Sequence, residues 1–431
     1  MSTLNDKQFK SIQIAGDGRF ARNVSLSKSE DAFNRIRVSS PFGIFENKNL
    51  FNKNDNQFEE RTNGVGASIS YLSNESAVKL EVGTASGEYA IRQTSRYHAY
   101  VPGKSHFIVM TGVMGASKDG NTKRLGYFDD KNGLFFEYSD NIFYIVHRSN
   151  ASGSVVDTKI SQSDFNFDTL DGTGKLDKNP SELTLDLNKS QIFEISFQWL
   201  GVGQVIFSLN LDGKKTIIHK IFFANNSDTV YMATPSLPCR YETRNTALTT
   251  SISSMKEICM SVVSEGGYNL PGFEFAASNG ITPRSLTTRV PVFAIRLLDS
   301  FGGKDNRRTI RILHGHSFAI GSNILFEIGH VHNPSAITAT WSAVGGGSAA
   351  EYSTDITAVT GNPEHYIDHF YASSGQAGKG GEGIGHIDVI SNHAYISQNF
   401  ESNNSQMFVL YATSMGGAAD AYAGFTWIEF D

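Results

Sequence analysis

Apolar and polar residues alternate between positions 191 and 223, and this period of two restricts the fold more than any other feature. In FEISFQW, which begins at Phe193, apolar side chains alternate with Glu194, Ser196 and Gln198. A strand points successive side chains to opposite faces of a sheet, so one face is predicted to be buried and the other solvated. VIFSLNL repeats the pattern, and Asp212-Gly213 then marks a turn. We therefore predict antiparallel strands joined by hairpins.

Similar short segments recur along the 431 residues. The candidates are ASISYLS, AVKLEVG, YAIRQTSRYHAYV, HFIVMTGVMG, GLFFEY, NIFYIVHRS, ELTLDL, RVPVFAIRLLD, RRTIRILHG, NILFEIGHVH, AITATWSAVG and two strands near the C-terminus. The 30 Phe, 16 Tyr and 41 Gly beside only 10 Pro favour strands and tight turns over helices. We predict an all-β protein, with a lectin-like jelly-roll β-sandwich followed by a second β-sandwich.

The segment EGGYNLPGFEFAASNGITPRSLTT mixes Gly, Pro, Asn and Ser without alternation, and it indicates a domain boundary. We place an extended N-terminal arm at residues 1–45, the jelly-roll sandwich at 46–270 and the C-terminal sandwich at 271–431. A short helix from Ser29 to Ile36 is predicted within the arm, because Ser29-Glu30-Asp31 supplies a cap and an acidic first turn. The Gly-rich ASSGQAGKGGEGIG is predicted to be a flexible loop.

Composition argues against several classes of protein. The net charge of −6 is unlike the basic balance of nucleic-acid binders. No apolar run reaches 18 residues, so no transmembrane helix is expected, and the first 20 residues lack the apolar core of a signal peptide. We expect a protein made in a cytoplasm and not exported by that route. Cys239 and Cys259 are too few for a disulfide framework, and buried free thiols are expected.

The segment GYFDDKNGLFFE permits two interpretations. Asn132-Gly133 is a strong hairpin signal, because both residue types tolerate positive φ. Asp129, Asp130 and Asn132 are also oxygen donors of the kind that bind calcium, although such a site needs about six to eight oxygens, usually from several loops. The hairpin is the favoured interpretation.

Histidines are concentrated in the last third of the chain. They are His314, His316, His330, His332, His365, His369, His386 and His393. HGH and HVH are i, i+2 pairs, which share one face of a strand. If the two strands pair, His314, His316, His330 and His332 would meet and could hold zinc, nickel or iron. The alternative is hydrogen-bonded or solvated histidines on separate strands. His365 and His369 are i, i+4 and could share a helix face in PEHYIDHFY, but an incidental spacing is the favoured interpretation.

Two further sets of side chains permit a functional and a structural interpretation. The aromatic set is Tyr97, Tyr100, Tyr144 and Trp199, which could stack on sugars or pack in the core. The basic set is Arg92, Arg96, Lys104, Arg124 and Arg148, which could pair with acids across subunits or form solvated strand faces. We favour core packing for the aromatic residues and solvated faces for the basic ones.

No catalytic motif is recognisable. GxSxG is absent, and no Gly-rich loop joins a strand to a helix as phosphate binding requires. The acids Asp129, Asp130, Glu137, Asp164 and Asp168 lie in the first sandwich, but carboxylate separation decides glycosidase chemistry and does not follow from sequence. We expect no enzymatic activity and no cofactor beyond a metal at the histidine pairs.

Several long segments resemble one family of uncharacterised bacteriophage structural proteins. They are RVSSPFGIFENKNL, RQTSRYHAYVPGKSHFIVMTGVMG, RLGYFDDKNGLFFE, FQWLGVGQVIFSLNLDGK, VYMATPSLPCRYETRN, AITATWSAVGGGSAAEYSTDITAVTGN and FTWIEFD. The resemblance runs from about Arg37 to the end of the chain. It implies a virion component, such as a tail fibre, tail spike, baseplate or head-surface protein, without a known catalytic signature.

The resemblance also implies partners. Phage appendages are commonly trimers, so we expect a homotrimer that contacts other virion proteins and functions in assembly and host attachment. The alternatives are a receptor protein that binds a host surface glycan and a spike that degrades polysaccharide.

Overall fold

A computed structural model describes residues 12–14, 20–22, 39–268, 272–332, 334–361, 364–374, 384–388 and 395–430. Within these ranges the regular structure is β, apart from one 3₁₀ turn at Gln162–Asp164. The all-β prediction is confirmed. Among the described residues, no helix has the length and apolar character needed to cross a bilayer. The predicted helix at Ser29–Ile36, most of the Gly-rich loop and His393 lie outside the described residues.

The strands are numbered in chain order. The first seventeen are β1 (Ile12–Ile14), β2 (Phe20–Arg22), β3 (Pro41–Lys48), β4 (Phe58–Asn63), β5 (Ser68–Leu72), β6 (Ala77–Val82), β7 (Tyr89–Thr94), β8 (Ser105–Val113), β9 (Asn121–Phe128), β10 (Gly133–Ser139), β11 (Ile142–Ser149), β12 (Val156–Ser161), β13 (Gln191–Phe197), β14 (Val205–Leu211), β15 (Lys214–Ile221), β16 (Cys239–Asn245) and β17 (Ser253–Glu265). The others are β18 (Phe273–Ser278), β19 (Arg284–Leu286), β20 (Val290–Leu297), β21 (Ser300–Phe301), β22 (Lys304–Asp305), β23 (Thr309–Ile320), β24 (Ile324–Val331), β25 (Pro334–Thr338), β26 (Ser342–Ala343), β27 (Ala350–Ser353), β28 (Ala358–Gly361), β29 (Glu364–Ala372), β30 (Ile384–Asp388), β31 (Tyr395–Ile396), β32 (Met407–Ser414) and β33 (Ala419–Phe430).

The first sandwich packs a seven-stranded sheet against an eight-stranded sheet. The seven-stranded sheet has the order β12-β11-β10-β9-β16-β7-β4, and the other has the order β15-β14-β13-β8-β17-β6-β5, with β3 beside β17. The chain crosses repeatedly between the two sheets, as in a jelly roll. Phe193, Ile195 and Phe197 of β13 are buried in the shared core, as their alternation predicts.

The second sandwich has two further antiparallel sheets. One has the order β18-β33-β23-β30, with β19 beside β33 and β31 beside β23, and the other has the order β26-β27-β20-β32-β24-β29. Phe293 of β20 and Phe425 of β33 meet edge to face, with ring centroids 5.7 Å apart, so the two sheets share one core.

The chain passes from the first sandwich to the second between Glu265, where β17 ends, and Phe273, where β18 begins. In the described part of the chain, no ladder pairs a strand before this point with one after it. At the other end, β3 contains residues 41–45 of the predicted arm. It pairs with β17 and buries Ile44 in the first core, so those residues are part of the first sandwich.

The segment ELTLDL was predicted to be a strand, and this is wrong. It forms only a single bridge, between Thr184 and Asp171. The buried Asp168 carboxylate accepts a hydrogen bond from Ser181 N at 3.0 Å, and Asn179 Nδ2 donates to Leu183 O at 3.2 Å. The backbone pairs here through the two hydrogen bonds of this bridge, Gly172 N to Leu183 O at 3.1 Å and Leu185 N to Leu170 O at 2.9 Å. The side chains of Asp168 and Asn179 hold the residues before the bridge in a turn.

Both cysteines are free, as predicted. Cys239 is buried, and burial raises the pKa of its thiol. Cys259 is only half-buried.

The predicted hairpin at GYFDDKNGLFFE is confirmed, because β9 and β10 pair with Phe128 opposite Gly133. The turn differs from the predicted Asn-Gly type. Its four residues, 129–132, are closed by Asp129, whose Oδ1 accepts hydrogen bonds from Lys131 N at 2.8 Å and Asn132 N at 2.7 Å. Gly133 serves close packing instead, since a Cβ there would lie 2.0 Å from Phe128 Cβ.

Side-chain oxygens of Asp130 and Asn132 in this loop also accept hydrogen bonds from protein donors. Asp130 pairs with Arg240 at 2.6 Å, and Asn132 Oδ1 accepts a hydrogen bond from Ala233 N at 2.9 Å. These contacts account for the acidic residues without calcium and support the hairpin interpretation.

Candidate functional site between the two sandwiches

The segment from Tyr395 to Phe400 joins the second sandwich to the first. The contacts are Arg96 over the Tyr395 ring at 3.8 Å, Ser397 Oγ to Ser95 O at 2.8 Å, Phe400 N to Glu59 Oε2 at 3.1 Å and Arg61 over the Phe400 ring at 3.2 Å. Two pockets of about 810 and 730 Å³ are lined by residues of both sandwiches beside this segment.

The smaller of the two pockets contains a cluster of three histidines, His330, His332 and His365, which we call the histidine cluster. One ring nitrogen from each lies within 4.8 Å of the others. His332 Nε2 and His365 Nδ1 are 3.3 Å apart, and the His330 and His332 ring centroids are 4.0 Å apart. Strand β29 and the C-terminal end of β24, with the residue that follows it, therefore bring together three side chains of a type that can bind metal.

A register shift assembles this cluster. Ile328 pairs with Asp368, but Gly329 pairs with Tyr366, so Ile367 is an extra residue in β29. A bulge of this kind places His365, and not Tyr366, directly opposite His330. His332 follows His330 by two residues and therefore lies on the same face.

Burial lowers the pKa of all three imidazoles. His330 and His332 are only 5% and 6% exposed, and His365 is half-buried. Desolvation lowers the pKa of His330 well below its usual value, and the neighbouring imidazoles lower it further. Desolvation, with a contribution from His365, lowers the pKa of His332 to about 4. Neutral imidazole is the form that binds metals.

The four-histidine arrangement that the sequence permitted does not form. HGH lies on β23 and HVH on β24, and these strands belong to different sheets because β23 pairs with β30, β31 and β33 instead. His316 contacts Thr426 Oγ1 at 2.7 Å, and its backbone lies opposite His386. The structure brings His330 and His332 together and separates them from His314 and His316.

His365 and His369 do not share a helix face, because PEHYIDHFY forms strand β29. His369 is exposed opposite Glu327, while His365 joins the histidine cluster. The sequence reveals the HVH pair but not its partner, because the pairing of His330 with His365 depends on the bulge at Ile367. Gln406, whose Nε2 lies 3.4 Å from His332 Nδ1, was also missed.

The basic side chains of the first sandwich are buried or half-buried and engaged within the chain, so the prediction of solvated strand faces is wrong. Arg92 has no exposed side-chain surface and pairs with Glu257 at 2.7 Å. Arg124 Nε donates to Glu137 Oε2 at 2.7 Å, and its Nη1 donates to Glu242 Oε1 at 3.1 Å. Arg148 pairs with Asp157 at 2.8 Å, Lys104 Nζ donates to Gly267 O, and Arg96 covers Tyr395. These pairs form within one chain. The alternation of apolar and polar residues in the sequence cannot show which strand faces are covered by other parts of the chain.

The aromatic set packs into the protein, as favoured. Tyr97 and Tyr100 are buried, and Trp199 packs against the first core with Nε1 donating to Met232 O at 3.1 Å. Tyr144 lies beside a small cluster of Phe128, Phe135 and Val146 on the other face of the seven-stranded sheet. These four residues do not form a common stacking platform.

No protein-family model matches the sequence, and no curated protein matches it. Solved structures give partial matches. A protein of unknown function from Shewanella oneidensis is 9% identical, with 53% of this chain and 88% of that chain covered and a TM-score of 0.34. Bacillus licheniformis β-glucanase is 11% identical, with 54% of this chain and 99% of that chain covered and a TM-score of 0.32. A legume lectin-like domain from Entamoeba histolytica is 7% identical, with 48% of this chain and 89% of that chain covered and a TM-score of 0.28. Similarity this weak carries no inference about activity.

Proposed function

We propose that this chain is a structural component of a bacteriophage virion, in a tail fibre, tail spike or head-surface appendage, and that it acts by assembly and host contact. The segments that resemble phage structural proteins motivate the role. Structural support comes from the outer face of the seven-stranded sheet, which is the face that points away from the core. On this face, arginine side chains pair with the buried carboxylates of Glu137 and Glu242.

This outer face has two acids that could otherwise act as a catalytic pair. Glu137 and Glu242 are buried, and Arg124 bridges them. Burial raises the pKa of Glu242, but the guanidinium groups of Arg124, Arg240 and Arg244 outweigh it and hold the pKa below its usual value. A glycosidase needs one carboxylic acid that remains protonated to donate its proton. The arrangement at Glu242 favours the ionised carboxylate, which cannot donate a proton, and this supports a structural role.

Labelling of phage particles tests the virion role. Antibodies against the purified chain should bind an appendage or the head surface of phage particles whose genome encodes it. Mass spectrometry should also detect peptides of the chain in those particles. Particles that lack the protein, although infected cells contain it, would contradict the proposal.

The outward face of β23 supports self-assembly. Phe318 and Ile320 are 38% and 41% exposed, and the Phe318 ring lies 5.8 Å from that of Tyr422. Exposed apolar residues grouped on one sheet are typical of an interaction surface. Closed symmetry covers such a surface in most homo-oligomers.

We therefore expect the purified chain to form a homotrimer, with three times the 47.2 kDa mass of one chain in light scattering. The double change Phe318→Glu and Ile320→Glu should reduce the mass to that of one chain, because it places charges in the contact. The control is Leu176→Glu, at an exposed position of the first sandwich. A wild-type monomer, or a trimer that survives the double change, would contradict this assembly.

Carbohydrate binding is the second candidate function, and the larger pocket favours it. The residues that line it include Asn52, Asn54, Asn56, Gln57 and Phe400. Amides pair with sugar hydroxyls, and an aromatic ring supplies an apolar contact. A glycan array would identify a ligand, and release of reducing ends from a bound polysaccharide would indicate a depolymerase instead.

A further inference from the structure

We propose that His330, His332 and His365 bind one divalent first-row transition-metal ion, such as Zn²⁺, through three imidazole nitrogens, with a further coordination position open to the pocket between the sandwiches. This site differs from the four-histidine site that the sequence suggested. It is independent of the proposed virion role.

Distances within the histidine cluster fit such an ion. Zinc binds imidazole nitrogen at about 2.0–2.1 Å with tetrahedral angles, so two ligand nitrogens lie about 3.3 Å apart. His332 Nε2 and His365 Nδ1 are 3.3 Å apart, and a nitrogen of His330 completes a set that lies within 4.8 Å. A tetrahedral site requires side-chain rotation to bring the third nitrogen to the same spacing.

An unpaired nitrogen within the histidine cluster supports a metal site over a simple hydrogen-bonded cluster. A hydrogen bond between His332 and His365 satisfies only those two rings. His330 is 5% exposed, and its Nε2 has no hydrogen-bond partner. Buried polar atoms without partners are rare, and each requires an explanation. One ion supplies a partner for all three rings.

Gln406 supports the same ligand geometry from the other side of His332. Its side-chain amide contacts His332 Nδ1 at 3.4 Å, and the oxygen and nitrogen of an amide can exchange places by rotation. With the oxygen toward Nδ1–H, His332 adopts the tautomer whose Nε2 is free to bind metal. A hydrogen bond of this kind orients most metal-binding histidines.

The donor set also defines the class of ion. Three neutral nitrogens suit zinc, nickel, cobalt or copper, whereas calcium and magnesium require oxygen ligands. No acidic residue belongs to this group in the described part of the chain. Because three protein ligands leave a position vacant, water or a carboxylate from the pocket can complete the coordination.

The test uses the full-length chain, freed of metal by dialysis against a chelator and titrated with Co²⁺ and then Zn²⁺. We expect one Co²⁺ per chain with visible d–d absorption, and displacement of that ion by Zn²⁺. His332→Gln and His365→Asn should each weaken Zn²⁺ binding by more than about 100-fold, since they remove a direct ligand. Gln406→Leu should weaken it by about 10–100-fold, as expected for a positioning residue, and Gln406→Glu should retain it.

The matched control is the double variant His314→Gln, His316→Gln, which removes the other histidine pair from a different sheet. It should bind Zn²⁺ like the wild type. Circular dichroism would establish that each variant is folded. Absence of stoichiometric binding by the wild type, or equal loss in the control and in the folded His365→Asn protein, would overturn the proposal.

Discussion

Replacement of Arg92 by Met is expected to lower the free energy of unfolding of the first sandwich by about 3–5 kcal/mol, because it leaves a buried carboxylate without its cation. Arg92 Nε donates to Glu257 Oε2 at 2.7 Å, and neither side chain has exposed surface. Arg92 Nη1 also pairs with Glu60 at 2.5 Å, and its guanidinium lies 3.8 Å from the Phe58 ring centroid. Urea denaturation monitored by fluorescence measures the loss.

Two further variants define the cause of this loss. Glu257→Leu combined with Arg92→Met removes both buried charges, so the double variant should be more stable than Arg92→Met alone. Lys189→Ala removes an exposed partner, 3.7 Å from Asp186, and should change stability by less than about 1 kcal/mol. A loss at Arg92 no larger than that at Lys189 would show that the buried pair contributes little.

The buried network around Arg92 also shows what local pattern can and cannot predict. Alternation located the strands well, because the side-chain period of two depends only on neighbouring residues, as in Phe193 to Phe197 of β13. It could not locate the partners of Arg92, because Glu257 is 165 positions away in sequence. The sequence therefore identified the faces of strands but not which polar faces the rest of the chain would cover.

The histidine cluster failed to be predicted for a related physical reason. The cluster depends on the pairing of β24 with β29 and on the bulge at Ile367. Both are long-range features that follow from packing of the whole second sandwich. HVH carried a local signal, since residues two apart share a strand face. Its third member, His365, appeared in the sequence only as part of a spacing that suggested a helix.

Acid sensitivity of the first sandwich is expected to come in part from His106. Both ring nitrogens of this buried side chain lack hydrogen-bond partners, and its ring packs against those of Tyr100 and Phe197 at 5.1 and 5.6 Å. Desolvation lowers its pKa to about 3. In the unfolded chain the pKa is about 6.5, so the unfolded state binds the proton first as the pH falls.

Because the unfolded state binds this proton first, acid lowers the free energy of unfolding. The contribution of His106 is fully present above about pH 6.5, and it decreases by about 1.4 kcal/mol for each pH unit below that value until the folded pKa of about 3 is reached. His98 adds to the same trend, since desolvation and then the charge of Arg96 lower its pKa well below the usual value. Stability should therefore fall steeply between pH 6.5 and pH 4, by about 3 kcal/mol from His106 alone.

His106→Phe isolates this contribution, because phenylalanine keeps an aromatic ring between Tyr100 and Phe197 and cannot take up a proton. The variant should lose about 3 kcal/mol less than the wild type between pH 6.5 and pH 4, whatever its stability at neutral pH. His369→Gln, at an exposed position, should keep the wild-type slope. Chemical denaturation at a series of pH values gives these slopes. Parallel slopes for wild type and His106→Phe would mean that His106 gains a proton in the folded state, which requires the core around Phe197 to open to water in acid.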